Sequence, residues 1–431
     1  MTTRYRARLF FSLAFVIVAI VYLVQIASPL RLINDGVDYL LQASSAIDGN
    51  GFLVHGVRSM RPPGYPALIW VLAKAGVGKS WAIVALNCLL LGVGCVASYF
   101  VLRESFGFSP EAAQSISLLT LLSFLMIRNV TYPLSDVCFF GASVPCLLVL
   151  IKAENIPGSR RLWWLLLLIP FLFFCIELRT IGVVFIPAFL WAALGGVAGA
   201  RKIYPTLLRH RFITLAFLLV ALVLAGKILL DSRYMRFNAH IFQKRGFMHS
   251  VVANIGDHTA EWGEMTANAP ASKLPAALAL PQQILGAFTI FVCFVGIWAK
   301  RDQPDSLLFY LLGFAAIILA YPWNDARLWL PVLPFLMGYV LLGLRRMSSP
   351  AVLRPLLIVY CSLFCLLGVL ALGFSTRLTF AGDRFPDIYG DGSYRDAYRI
   401  VLRGETPNSG VAVDQDAVSL LRRYEWRAAG K

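Results

Sequence analysis

The sequence predicts an all-α, polytopic membrane protein of about eleven spanning helices, and three observations carry that prediction. Of its 431 residues 58% are hydrophobic, with a mean hydropathy of +0.71. A soluble core cannot absorb that much apolar surface. The apolar residues also gather in runs near 9–30, 80–102, 112–128, 134–151, 162–178, 181–200, 212–230, 283–299, 306–321, 328–344 and 354–375. Most of these approach the roughly 20 residues that cross a bilayer. Third, the net charge of +16 is sorted between alternate loops.

With the N-terminus in the cytoplasm, the inner loops carry Arg103; Lys152, Arg160 and Arg161; Arg201, Lys202, Arg209 and Arg211; Lys300 and Arg301; Arg345, Arg346 and Arg354. Cytoplasmic loops of membrane proteins are basic in this way. The charge therefore reads as orientation, and no nucleic-acid partner is expected. An odd number of spans sends the C-terminus outside. The expected division is a transmembrane domain over 1–375 and a small extracytoplasmic tail over 376–431. Within the first, loops 31–80 and 231–282 also face outward.

The first apolar run follows Arg4, Arg6 and Arg8 as a signal peptide would, but it is too long for one and lacks a small-residue cleavage site. It reads as an anchor. Asn34-Asp35-Gly36-Val37-Asp38-Tyr39 comes directly after it, with Asp35 and Asp38 one helical turn apart and so facing one way. Tyr39, Leu40, Ala43 and Ile47 continue an apolar stripe, predicting an amphipathic helix on the membrane surface that ends at Gly49-Asn50-Gly51. Arg61-Pro62-Pro63-Gly64-Tyr65-Pro66 turns the chain back, and the apolar Ala67–Ala75 is too short to cross, so a second interfacial helix is expected. Gly78-Lys79-Ser80 looks like the end of a P-loop, but Ala73 stands where its first glycine belongs and no strand precedes it.

Three later clusters place acids and arginines at the outer boundary. They are Arg128 with Asp136, Glu177 with Arg179, and Asp325 with Arg327. Ionisable groups at membrane depth are costly and usually face a cavity or each other. Together with the first loop, these clusters read as the lining of one polar cavity. Loop 231–282 holds His240, His249, His258, Asp257, Glu261 and Glu264, at spacings that match no ligand pattern. It is expected to be a partly ordered substrate loop, and no metal or other cofactor is predicted. In the tail, Gly410–Asp414 reads as a short strand and Ala417–Tyr424 as a short helix. All eight cysteines fall inside apolar runs and read as small core residues, which excludes an extracellular disulfide scaffold.

At the outer face of a membrane, an activated sugar must arrive on a carrier that crosses the bilayer, such as a polyprenyl phosphate. Transfer from it needs a carboxylate to take the acceptor's proton. It needs cations to hold the departing phosphate, and an apolar groove for the isoprenoid. Asp35 supplies the first, with Asp38 as its rival. Arg61, Arg128, Arg179 and Arg327 suit the second, because guanidinium groups bind phosphate in a forked geometry.

These residues resemble a known family. A first span followed by Asp-x-x-x-Tyr, then a basic residue before Pro-Pro, then about ten more spans, is similar to the GT-C glycosyltransferases that use lipid-linked sugars. Protein O-mannosyltransferases and the lipid A aminoarabinose transferases are the nearest in pattern. The resemblance implies that Asp35 is the catalytic base and that Arg61 contacts the carrier phosphate. It places Tyr39, Tyr65 and Asp136 among the substrate-binding residues. Arg179-Thr180-Ile181-Gly182 is similar to the family's Arg-Pro-x-Gly, and Arg327-Leu328-Trp329-Leu330-Pro331 to its Arg-Tyr-Leu-Leu-Pro. It further implies a bacterial plasma-membrane enzyme with an inverting reaction. Its acceptor would be an extracytoplasmic glycan, lipid or protein. A transporter or lipid flippase is the competing class, and a subunit that binds wall polymers a third. Against the flippase, no inverted repeat or pair of broken mid-span helices is visible.

Overall fold

The structure is a computed structural model and describes residues 3–199, 246–319, 321, 323–389, 394–406 and 412–427. Helix α1 (Thr3–Val24) runs through the first apolar stretch and ends in a short 3-10 turn, after which the chain is irregular to Ile33. Both expected helices of the first loop are present, as α2 (Asn34–Ile47) and α3 (Gly64–Lys74). Between them lies a two-residue antiparallel hairpin, Leu53–Val54 with Val57–Arg58.

The bundle continues with α4 (Ser80–Phe106), α5 (Pro110–Leu121), α6 (Phe124–Val130), α7 (Ser135–Glu154), α8 (Gly158–Leu178) and α9 (Phe185–Leu194). After 245 come α10 (Phe247–Ala267), α11 (Ala279–Ala299), α12 (Ser306–Leu319), α13 (Leu333–Met347) and α14 (Pro350–Thr379). Among the described residues six helical stretches are long and apolar enough to cross a membrane, or seven if α5 and α6 form one broken span. Leu13–Ala27, Thr180–Leu194 and Ser306–Leu319 are apolar but shorter, and the run 212–230 lies outside the described residues. Leu167, Phe294 and Ile358, on α8, α11 and α14, are exposed, as on helices that face lipid.

The apolar run 112–128 is not one straight helix. It bends by 54° between Leu121 and Phe124. The break is satisfied by Asn268, itself in the left-handed region at φ +54°. Its Oδ1 accepts the Phe124 N–H at 2.7 Å, and its Nδ2 donates to Leu122 O and Phe364 O. Asn268→Ala is expected to cost about 1–3 kcal/mol for the orphaned Phe124 N–H alone. Thermal unfolding in detergent checks this; an unchanged midpoint would mean that other contacts hold the bend.

The segment 231–282 departs from the loop expectation. His240 lies outside the described residues, but 247–267 is a 21-residue helix. Its polar residues concealed it, and tertiary partners compensate them: Asn254 Nδ2 donates to Leu319 O and Tyr321 O, and Asp257 accepts from Asn324. In the tail, α15 (Phe385–Tyr389), α16 (Arg395–Tyr398) and α17 (Gln415–Tyr424) pack into the same apolar core as the long helices. The short strand expected at 410–414 is absent from its described part, 412–414. Asp414 instead caps α17, its Oδ1 accepting the Ala417 N–H at 3.0 Å.

Candidate functional site

Two glycines bring the site together. At Gly36 a Cβ would stand 2.8 Å from Pro133 Cγ, so the first turn of α2 rests on the turn before α7. At Gly64 a Cβ would meet the Glu177 carbonyl oxygen at 2.4 Å, so α3 starts against the end of α8. Asp35 and Arg61 thereby reach the ends of α7 and α8, where Asp136 and Arg179 lie.

Arg61 spans both acids of α2. Its Nη2 donates to Asp35 Oδ1 at 2.5 Å and its Nη1 to Asp38 Oδ2. The other Asp35 oxygen accepts from Arg327 Nη2. Arg327 sits in the 3-10 turn Ala326–Val332, where Asp325 caps the start by accepting its N–H at 3.0 Å and pairs with its Nε at 2.8 Å. Asp325 Oδ1 is also 3.7 Å from Arg128 Nη2. Asp38, Arg61, Asp35, Arg327, Asp325 and Arg128 thus form one chain of alternating charge.

Arg179 and Asp136 make a second ion pair. The Tyr39 hydroxyl, 3.0 Å from Ser135 Oγ, stands between the pair and the chain of charges. The Arg61 guanidinium lies 5.9 Å from the centre of the Tyr39 ring. Tyr65 is fully buried and packs edge-on against Tyr39 at 5.5 Å. It supports Tyr39 from behind. Each of the four arginines singled out in the sequence is paired with an acid.

Exposure separates the acids. Asp35 keeps 30% of its side-chain surface open and Asp38 36%, whereas Asp136 keeps 4%. A substrate hydroxyl therefore has access to the acids of α2 and little to Asp136. Burial works to raise the Asp35 pKa, but the guanidiniums of Arg327 and Arg61 outweigh it and hold the carboxyl below its ordinary value. Asp35 is an accessible carboxylate, ionised at neutral pH, with a cation on each oxygen.

The sequence reading missed the support under Arg327. Glu261 Oε2 accepts the Trp329 indole N–H at 2.9 Å and lies 2.7 Å from His258 Nδ1. His258 and Glu261 are both buried. This couple, one turn apart on α10, fixes the 3-10 turn that presents Arg327. Helical spacing was the available signal, but it carries meaning only once 247–267 is known to be helix. His249, on the same helix, is at a position where only the backbone is described.

Trp262 packs edge-on against Trp329 at 5.4 Å and lines an apolar cavity of about 490 Å³. Ile116, Leu119, Phe288, Met337 and Leu357 form other parts of its wall. The cavity thus begins one ring contact away from the turn that bears Arg327. Arg345 lies on its lining as well.

No protein-family model and no curated protein sequence matches the chain. Solved structures do. Apo ArnT from Cupriavidus metallidurans superposes with a TM-score of 0.52 at 14% identity, over 97% of this chain and 85% of that one. The same protein bound to undecaprenyl phosphate gives 0.50 at 15% identity, over 96% and 85%. The archaeal oligosaccharyltransferase AglB from Archaeoglobus fulgidus, in complex with an inhibitory peptide and a dolichol-phosphate, gives 0.49 at 12%, over 93% and 58%. The chain therefore shares the fold of ArnT.

Proposed function

We propose, for a chain that shares its fold with ArnT, that this is a membrane glycosyltransferase that moves a sugar from a polyprenyl-phosphate carrier to an extracytoplasmic acceptor. The observation that carries the reading is Asp35 at the start of α2, held between Arg61 and Arg327. ArnT has been crystallised with undecaprenyl phosphate, which supports a carrier of that class here.

In this reading Asp35 is the base. The acceptor hydroxyl attacks the anomeric carbon, the bond from that carbon to the phosphate oxygen breaks, and the hydroxyl proton passes to Asp35. A single displacement inverts the anomeric centre. The carrier phosphate leaves with an extra negative charge, which arginines are suited to stabilise in a dry site. Arg61 and Arg327 serve both anions. As the phosphate draws them from Asp35, the carboxylate loses the cations that depress its pKa and becomes a better base when the substrate arrives. Arg128, 39% exposed and held only at 3.7 Å, is the arginine freest to meet the phosphate first. The apolar cavity behind Trp262 takes part of the isoprenoid.

The site occupies one end of the bundle. Asp136 and Arg327 stand at the starts of the stretches Ser135–Glu154 and Ala326–Met347, and Arg179 at the end of α8. Lys152, Lys300 and Arg345 lie at opposite helix ends. This sorting supports an N-in arrangement with the site outside; the proposal keeps the C-out topology of about eleven spans and the bacterial plasma membrane expected from the sequence. A reporter fused after Lys431 is expected to report an extracytoplasmic location; a cytoplasmic signal would move the site to the wrong side.

The decisive experiment incubates the purified protein in lipid nanodiscs with extracted lipid-linked sugars and follows them by mass spectrometry. Consumption of one species with release of its polyprenyl phosphate is expected. If no lipid-linked sugar is consumed and undecaprenyl phosphate does not bind, the reading fails.

A further inference from the structure

The chain between the first helix and α2 is irregular and buried, and the far end of the protein satisfies much of its backbone. Residues 28–33 form neither helix nor strand, and residues 28–32 are all buried. Such backbone needs partners for its N–H and C=O groups. The Leu30 N–H donates to Glu425 Oε2 at 2.5 Å. The Tyr398 hydroxyl donates to Leu30 O and accepts the Leu32 N–H, both at 2.7 Å. Tyr389 donates to Leu32 O at 2.8 Å, and Tyr394 to Asn34 Oδ1 at 2.6 Å. Arg427 Nη2 donates to Ala27 O at 2.9 Å. A neighbouring strand would normally make such bonds; here tail side chains take its place.

The tail also braces the other end of α2. The Tyr424 hydroxyl lies 3.0 Å from Ser44 Oγ, and Arg423 pairs with both oxygens of Asp48 at 2.8 Å. Among the described residues, Arg31 ties the same segment to the long helices. The buried Arg31 donates to Ser375 O at 2.9 Å and Ser375 Oγ at 3.0 Å on α14. The bonds from Tyr398, Tyr389 and Glu425 are the ones made to the peptide groups ahead of Asp35, and Tyr398 alone of these bonds two of them.

We infer that Tyr398, together with Glu425, is a positioning residue for Asp35, so that the C-terminal segment is a working part of the transfer site. The inference rests on the reading of Asp35 as the base. Tyr398 acts through the backbone: its hydroxyl sets the path of Leu30–Leu32, and that path sets where α2 begins. A misplacement of about 1 Å at a reacting group can cost on the order of 10²-fold in rate. Losing this hydroxyl should therefore slow transfer more than it weakens hold on the carrier.

The test uses the full-length protein in lipid nanodiscs, as wild type, Tyr398→Phe, Glu425→Leu and the surface control Arg423→Ala. Hydrogen–deuterium exchange is read over 29–38, undecaprenyl phosphate binding is titrated, and transfer is assayed with whichever lipid-linked sugar the wild-type protein consumes. Tyr398→Phe is expected to speed exchange at Leu30–Leu32 by about 10-fold or more and to slow transfer by about 10–100-fold. Binding of undecaprenyl phosphate should stay within about threefold of wild type, a split that general loosening would not give. Arg423→Ala should leave exchange at these amides unchanged. Wild-type exchange and wild-type turnover in Tyr398→Phe would overturn the inference. If that variant loosens the whole bundle, Glu425→Leu, which removes the acceptor, decides: faster exchange confined to Leu30 supports the inference, and none overturns it. A wild type that fails to bind undecaprenyl phosphate, with the local exchange effect intact, would refute the carrier reading and leave the tail's hold on this segment standing.

Discussion

Asp35→Asn is expected to lower the rate of sugar transfer by about 10²–10⁴-fold, the usual contribution of a positioned acid–base group. Asparagine keeps the shape and still offers an oxygen to one arginine, but it cannot take a proton. Folding and carrier binding should survive, and binding should strengthen slightly because the carboxylate no longer competes for Arg61 and Arg327. Asp38→Asn is the parallel measurement, since Asp38 shares Arg61 and is equally accessible. Asp38 pairs with Arg61, whereas Asp35 is held by both Arg61 and Arg327, and loss of Asp38 is expected to matter less. If Asp35→Asn keeps wild-type turnover while Asp38→Asn loses it, the base is Asp38. If neither matters, the transferase reading falls.

The pH dependence follows from the same geometry. The arginines hold the Asp35 carboxyl below its ordinary value despite its burial. Measured as kcat/KM, which reports the free enzyme, transfer should therefore be insensitive to this group at neutral pH and fail only as the pH drops below the ordinary carboxylate range. The linked stability has the same sign: it is present above the unfolded carboxyl pKa and is lost as pH falls through the depressed folded one. A rate profile in free enzyme that fell already near neutrality would assign the limiting proton to another group.

Arg61→Ala is expected to weaken binding of undecaprenyl phosphate by about 10–150-fold, from about 1.5–3 kcal/mol for one charge-assisted hydrogen bond. The lower part of that range is favoured, because Arg61 must first leave Asp35 and Asp38 to meet the phosphate. Arg61→Lys separates charge from shape. An ammonium keeps the charge but not the fork, so it should recover only part of the affinity. Titration in nanodiscs measures both variants. Unchanged affinity in Arg61→Ala would pass the role to Arg128, Arg179 or Arg327.

Substituting Arg61 also exposes the coupling between the two anions. Without it, Asp35 retains only Arg327 and its pKa should rise toward the ordinary value. The acid limb of the kcat/KM profile, which reports the free enzyme, should therefore move to higher pH in Arg61→Ala; at saturating donor, where the phosphate has already drawn Arg61 away, little movement is expected. No such movement is expected from Arg179, whose partner is the buried Asp136.

Several elements of this site can be read directly from the sequence. Asp35 and Asp38 face one way because a helical turn separates them, and α2 does present both to a single arginine. The basic turn before Pro62-Pro63 lies beside them because only a short hairpin intervenes. The helix α10 was not legible: Asn254, Asp257, His258 and Glu261 look like loop chemistry until their partners on 319–329 are known. The tail was underestimated for the same reason, since Tyr398 reads as one aromatic in a polar stretch and its two partners are more than 360 residues away.

The sequence alone determined that the chain is a multi-helix membrane protein with its acids and arginines grouped at helix ends, because hydropathy, helical period and loop charge are all local in sequence. Only the tertiary structure decided which cation meets which carboxylate. Asp35 and Arg327 are separated by 292 residues and Leu30 and Glu425 by 395. Coulomb energy and hydrogen bonding depend on distances of a few ångströms, and no spacing along the chain specifies those until the helices have packed.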